Sequence, residues 1–438
     1  MADQTSATAS KKGNGGIIFR LIVMNFLEFA IWGAYLTCMG RYLGGIGLGP
    51  KIGLFYAVQG IVSIFMPALI GIVADKWIPA QKTLSLCQLL AGAFMIASWW
   101  YCKSAGAAVS FGPLFTLYTL SVAFFMPTIA LTNSVAYSIM GAHGMDTVKD
   151  FPPIRTFGTI GFIVTMWIVD LCGFQTTEYQ FLVSGIISIV LAVYALTMPN
   201  CLTHPSTGST SFVDIFGLRA FTLFKRKEMA IFFIFSMFLG VCLQITNGFA
   251  NPYLGDFGFL PQYSGTFGVQ HSNILISLSQ ISEALCILLI PFFLRKFGIK
   301  IVMLIAMFAW VLRFLFFGLG NPGDGVWMFI ISMIVYGVAF DFFNISGSLF
   351  VNQETDTSIR SSAQGVFMLM TNGLGASLGL FAAQAVIDHF VNVHPIAADA
   401  AGRMTGWSDA WFVFAGYALV VALLFMILFR YKHTEGKA

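Results

Sequence analysis

The chain has 438 residues, 58% of them hydrophobic and only 10% charged, against about 25% charged residues in soluble globular proteins. With 46 phenylalanines among them, the apolar residues as a whole carry more surface than a soluble core can hide, because surface-to-volume scaling leaves too much outside. A water-soluble domain is excluded, and the net charge of +4 comes with no basic groove or stacking platform that would suit a nucleic-acid partner.

A helix crosses a bilayer with roughly 20 mostly apolar residues. About twelve such runs are predicted in chain order: 17–41, 51–74, 82–102, 110–138, 152–173, 178–198, 229–253, 272–294, 299–319, 325–351, 360–388 and 409–431. They are too long and too uniformly apolar for the alternating strands of about ten residues in a membrane barrel. The predicted fold is an all-α integral membrane protein with twelve transmembrane helices. Residues 1–16, "MADQTSATASKKGNGG", read as a disordered N-terminus without the apolar core of a signal peptide.

Basic residues set orientation. With the N-terminus in the cytoplasm, Lys11–Lys12, Lys76–Lys82, Lys149, Arg219–Lys227, Arg295–Lys300, Arg360 and Arg430–Lys437 all fall on that side. The opposite side keeps Arg41, Lys51, Lys103 and Arg403. Both termini are therefore expected in the cytoplasm. The longest connection, 199–228, divides the spans into a six-helix bundle at 17–198 and a second at 229–431, with 432–438 as a tail. Within the connection, "SFVDIFGLRAFTLFKRK" is amphipathic enough for a helix on the membrane surface. The seven scattered cysteines have no C-x-x-C spacing and read as packing residues. The histidines lie in loops or near span ends, which argues against a metal site, and no cofactor is expected.

Ionisable groups inside the runs are the strongest functional signal. Each costs about 2.5–3.5 kcal/mol at a helix centre on insertion scales. Asp341 lies in "VYGVAFDFFNISGS", Glu283 in "SLSQISEALC", Arg155 in "PPIRTFGTIGF" and Glu28 in "NFLEFAIWGAY". Helical spacing gives each a face. Gly337, Asp341, Asn344 and Ser348 form one stripe; Arg155, Thr159 and Phe162 form another. Asn25, Glu28, Trp32 and Tyr35 follow the same rule, and Gln244 with Asn247 and Gln280 with Glu283 are i,i+3 pairs. Such faces point to a cavity rather than to lipid.

Blander readings compete. Gln244 and Asn247 can simply tie helices together, at roughly 0.6 kcal/mol per bond. Arg155 can anchor its helix near a loop, and Arg313 in "WVLRFLFF" can snorkel or pair within its half. Any single Phe is most often packing. For Asp341 and Glu283, two carboxylates in one half without a basic partner on the same helix, proton exchange is the stronger reading. Tyr336 and Phe340 form an aromatic i,i+4 pair, with Phe162 and Phe343 as neighbours. Amides and acids suit hydroxyls and an aromatic face suits a flat ring, so the substrate shape is a heterocycle bearing hydroxyls.

"GIVADKW", with Gly71, Asp75 and Lys76, and "PFFLRKFGIK" are short charged turns at matching places in the two halves. They resemble the cytoplasmic loop motif of the major facilitator superfamily, whose repeated halves suit alternating access around a midplane site. "DFPPIRTFGTIGF", "LQITN", "SQISE", "SMIVYGVAFDFFNISGS" and "SAQGVFMLMTNG" are more specific. Together, and in order over nearly the whole chain, they resemble the nucleoside:proton symporter family of that superfamily. The resemblance implies import of purine and pyrimidine nucleosides across a bacterial inner membrane by a monomer, driven by the proton gradient, with no covalent chemistry. It implies substrate binding by Arg155, Thr159, Phe162, Gln244, Asn247, Gln280, Glu283, Tyr336, Phe340 and Asp341, with Glu283 and Asp341 coupling the proton. Asn344 and Glu28 are further candidates. Glu28 departs from the family, which leads one to expect a neutral glutamine there. It can be a second proton site, a partner for Arg155, or a neutral acid replacing an amide. Residues 1–16, 199–211, 254–270 and 389–408 also depart from the family.

A xanthosine-preferring member of the family is the nearest alternative. A nutrient sensor would carry a long tail, and this chain ends soon after Arg430. No H-E-x-x-H or G-x-S-x-G motif in a suitable context supports an enzyme, and "GGIGLGPK" lacks the Gly-Lys-Ser/Thr of a phosphate loop.

Overall fold

The computed structural model describes residues 14–201, 218–356, 360–396 and 398–431. The N-terminus up to residue 13, the connection 202–217 and the tail 432–438 lie outside the described residues, and with them the first part, 211–217, of the predicted surface helix. Its end, Leu218–Lys225, is a 3-10 helix.

All regular structure is helical among the described residues. The main helices are α1 (Gly15–Gly33), α2 (Met39–Gly45), α3 (Ile52–Lys76), α4 (Ala80–Ala105), α5 (Phe111–Ala142), α6 (Thr147–Leu171) and α7 (Tyr179–Leu196). They continue as α8 (Lys227–Leu243), α9 (Ile245–Asp256), α10 (Ser272–Cys286), α11 (Ile290–Leu319), α12 (Val326–Glu354), α13 (Arg360–Met368), α14 (Ala376–Phe390) and α15 (Ala400–Leu428). A π-helix, Leu369–Gly375, joins α13 to α14. Eleven helical stretches among the described residues are long and apolar enough to cross a membrane. The structure is thus an all-α, multi-span membrane protein. The predicted runs 272–294 and 299–319 fall in one continuous stretch, Ser272–Leu319. Within it Gly298 leaves helical geometry, with φ 72° and ψ 168°, a conformation that costs glycine little.

Four predicted runs are interrupted, the eighth by a 3-10 turn at Ile287–Leu289. The first ends as a helix at Gly33 and resumes at Met39. Backbone groups freed by such a break need other partners. Here the Tyr56 hydroxyl donates to Leu36 O at 2.5 Å and accepts from Gly40 N at 3.3 Å. The seventh run breaks at Gln244, between α8 and α9, and the eleventh passes through the π-helix.

The chain clusters into two compact units. The first comprises the described residues of Met1–Tyr35, Phe65–Val169 and Glu178–Gly208; the second those of Leu36–Ile64, Asp170–Thr177 and Ser209–Ala438. Inside the first, α4 packs on α5 and α7, and α1 on α5 and α7. Small residues permit close approach, as in membrane bundles generally. A Cβ on Gly33 would stand 2.4 Å from Phe162 O, and one on Gly161 2.2 Å from Phe26 O, so α1 and α6 touch backbone to backbone. Inside the second, α11 packs on α12 and α15, and α10 on α12. Gly240, Gly375 and Gly379 bring α8 onto the π-helix and α14 in the same manner, with Cβ positions 2.3–2.5 Å from Thr371, Met237 and Val241 backbone atoms. All seven cysteines are free, and six are buried.

Candidate functional site

In the first unit, α6 carries Arg155, Thr159 and Phe162 on one face, as its sequence spacing requires. The Arg155 guanidinium carbon lies 3.8 Å above the Phe29 ring. Gly158 makes room for that stack: a Cβ there would stand 2.6 Å from Phe29 Cδ2 and 2.8 Å from Arg155 Nη1. Stacking occupies one guanidinium face, and the N–H groups of a guanidinium lie in its plane, along the edges of that stack. Arg155 and Thr159 are half-buried. Phe162 is nearly buried, its backbone against Gly33.

Glu28 is fully buried in the same unit. Gln88 Nε2 donates to its Oε2 at 2.8 Å, and Thr132 Oγ1 lies 3.2 Å from the same oxygen. Thr128 Oγ1 lies 2.6 Å from Oε1. These contacts tie α1 to α4 and α5. Arg155 is the charged neighbour within electrostatic range but not among the hydrogen-bond partners. Asn25 turns its amide to Leu21 O on its own helix, and Trp32 packs edge-on against Phe125.

In the second unit, Gln244 and Asn247 face each other across the α8–α9 break, with Asn247 Nδ2 donating to Gln244 Oε1 at 2.9 Å. Gln280 and Glu283 lie on α10 and are half-buried. Tyr336 and Phe340 on α12 stack at 5.6 Å with rings 15° apart. Asp341, one residue on, is 4% exposed, and its Oδ2 accepts no hydrogen bond from the described residues. Glu283 is its ionisable neighbour. Asn344 spends its amide on Phe340 O in its own helix, and Ser348 bonds Gln364.

For two residues the structure favours one of the readings the sequence left open. Phe343 belongs to a phenylalanine cluster with Phe232 and Phe367, so it is packing. Arg313 does not snorkel: it is 2% exposed and bonded to three other helices. Gly71 lies in the last turns of α3, where a Cβ would meet nothing. The side chains of Asp75 and Lys76, the rest of that loop motif, lie outside the described residues.

One polar cluster escaped the sequence reading. Asp170, at the end of α6, accepts from the N–H groups of Asn273 and Ile274 at 3.0 and 3.3 Å. It thereby caps α10, the helix of Gln280 and Glu283. Its other oxygen meets His271 Nδ1 at 2.6 Å. Gln175, Asn251, Arg41 and Thr37 extend the network through Ser272 and Asn273. The only trace in the sequence is a lone acid at the end of an apolar run, and its partners lie about a hundred positions away.

Polar groups gathered on interior faces of a helical membrane protein, with a buried carboxyl among them, suit the class of secondary transporters. The fold is major-facilitator-like. Residues 16–434 match the family described as Nucleoside H+ symporter, and the chain belongs to it. It is 44% identical over 424 residues to the xanthosine permease of Escherichia coli (strain K12), covering 96% of this chain and 98% of that one. It is 43% identical over 420 residues to the nucleoside permease NupG of the same organism, covering 95% and 96%. The crystal structure of the nucleoside transporter NupG superposes with a TM-score of 0.85 at 42% identity, over 95% of this chain and 99% of that one. The protein is a proton-coupled symporter, not an enzyme.

Proposed function

We propose that the chain imports purine and pyrimidine nucleosides together with protons, by alternating access of two six-helix bundles, 17–198 and 229–431, joined by 199–228. Asp341 and Glu283 carry the proton. The observation that supports this most is the buried Asp341 oxygen without a hydrogen-bond donor. An ionised carboxylate there would go unpaid by any partner, whereas a carboxyl that gains and loses a proton during the cycle needs none.

Recognition divides by chemistry. Gln244, Asn247, Gln280 and Glu283 read the ribose hydroxyls, and the stacked Tyr336–Phe340 pair offers a face to the base. Arg155 and Thr159 supply donors, and Phe162 on the same face adds an apolar ring. We read twelve spans, because the 48-residue stretch Ser272–Leu319 would measure about 70 Å as one helix, more than twice the hydrocarbon thickness of about 30 Å. Gly298 supplies the turn. The basic-residue asymmetry supports cytoplasmic termini in an inner-membrane protein, taken here as a monomer.

The test is uptake of a labelled panel (uridine, adenosine, inosine, xanthosine) into proteoliposomes with and without an inward proton gradient. Gradient-dependent accumulation of nucleosides is expected. A site built to bond hydroxyls rejects ligands that lack them, so uracil should compete at least tenfold less well than unlabelled uridine. Equal competition would overturn the ribose assignment, and gradient-independent uptake the coupling.

A further inference from the structure

Arg313 on α11 is a cation buried in the second unit, with 2% of its surface exposed. No carboxylate pairs with it among the described residues. Nη1 donates to Ser332 O at 2.8 Å and to Ser279 Oγ at 3.3 Å; Nη2 donates to Thr246 Oγ1 at 3.2 Å. Ser332 Oγ returns a bond to Arg313 O at 2.9 Å. The guanidinium carbon lies 4.5 Å from the centre of the Tyr336 ring, whose other contacts include Trp310 edge-on at 5.8 Å. Nε has no partner.

Stability does not account for this group. An unpaired buried charge loses its hydration, and apolar residues of similar volume in such places often stabilise a fold. The positions of its partners do account for it. Thr246 precedes Asn247 on α9, Ser279 precedes Gln280 on α10, and Ser332 lies one turn before Tyr336 on α12. One planar fork therefore holds three helices at the point where each presents a recognition residue, and its face fixes the ring of a fourth contact. Lysine has the charge but a single nitrogen, and cannot reproduce the fork.

We propose that Arg313 is a positioning residue for nucleoside recognition: it touches no substrate, but holds Asn247, Gln280 and Tyr336 in register through Thr246, Ser279 and its own stack on the tyrosine. This rests on the nucleoside-binding reading of those residues.

The test compares full-length wild type, Arg313→Met and Arg313→Lys in lipid nanodiscs. Three quantities are read: melting temperature, the Kd for uridine by calorimetry, and hydrogen exchange at 244–250 and 278–284 without ligand. Arg313→Met should melt no lower than wild type, bind uridine at least tenfold more weakly, and exchange faster in both segments. Arg313→Lys, which keeps the charge and carries the test if the Met variant does not fold, should also bind at least tenfold more weakly. Unchanged affinity and exchange would overturn the proposal. So would a fall in melting temperature with wild-type affinity in the folded fraction, which is the signature of a purely structural residue. If wild type itself binds no nucleoside, the recognition reading fails, and the ligand-free exchange alone decides whether Arg313 holds the helices.

Discussion

Gly337 on α12 lies against the backbone of Ser282 on α10: a Cβ on residue 337 would stand 2.5 Å from the Ser282 carbonyl oxygen. Glu283 follows one of these residues directly, and Asp341 follows the other by one turn. Their separation is thus set by a contact that only glycine permits. Gly337→Ala must push the two helices apart, at a cost of about 1–3 kcal/mol for overpacking. Proton-driven uptake should fall at least tenfold, and Gly337→Val should do worse. Wild-type uptake with an unchanged melting temperature in Gly337→Ala would show that the proton pair tolerates wider spacing.

Asp341→Asn preserves shape and removes the titrating proton. The variant should reach the membrane at wild-type levels yet lose accumulation against a gradient, and its residual uptake should not vary with external pH. Wild-type accumulation in vesicles would remove Asp341 from the coupling mechanism.

Arg155 combines a stack on Phe29 with a planar fork of donors, and an ammonium reproduces neither. Arg155→Lys should raise the nucleoside Kd by tenfold to a hundredfold, equivalent to about 1.4–2.8 kcal/mol. An unchanged Kd for the purified variant would make Arg155 a structural anchor only.

For Glu28 we propose a reading from a count of protons. Thr128 has one hydroxyl proton and two oxygens at 2.6 Å, Phe125 O and Glu28 Oε1. The carbonyl can only accept. Both contacts are satisfied when Thr128 donates to Phe125 O and Glu28, as the neutral acid, donates to Thr128. Among the three readings left open by the sequence, this geometry favours the acid that stands in for an amide. Glu28→Gln should then keep the wild-type pH profile of uptake. Glu28→Ala leaves the donors of Gln88 and Thr132 unpaired and should lose on the order of 3 kcal/mol of stability. Uptake measured against external pH for wild type and Glu28→Gln decides: a profile displaced by a full unit would show that Glu28 titrates during transport.

The apolar runs were legible because bilayer thickness imposes length and composition, with the break at Gly298 marked by its glycine. The interruptions after Gly33 and at Gln244 were not, because the groups that satisfy them, such as the Tyr56 hydroxyl, come from elsewhere in the chain. Asp341 and the Tyr336–Phe340 stack could be read from cost and spacing within one helix. Arg313 and Asp170 could not: their meaning lies in Thr246, Ser279 and Ser332, or in His271 and Asn273, and nothing in linear spacing brings these together. Phe343 could not be placed from sequence, where packing was already the commoner reading, because an aromatic looks the same whether it faces a ligand or the phenylalanines Phe232 and Phe367.

The glycine contacts have a mechanical consequence. Where Gly33 meets Phe162 and Gly161 meets Phe26, and again where Gly240 meets Thr371 and Gly375 meets Met237, main chain rests on main chain. Such a joint is stiff, because it has no side chains that could change rotamer and let one helix slide along the other. Each pair must travel as one rod, so Arg155 and the Phe29 ring beneath it move together or not at all. The compliance of the transporter then concentrates where helical geometry is already broken: the turn after Gly33, the step at Gln244, the break at Gly298 and the wide π-turn at Leu369–Gly375.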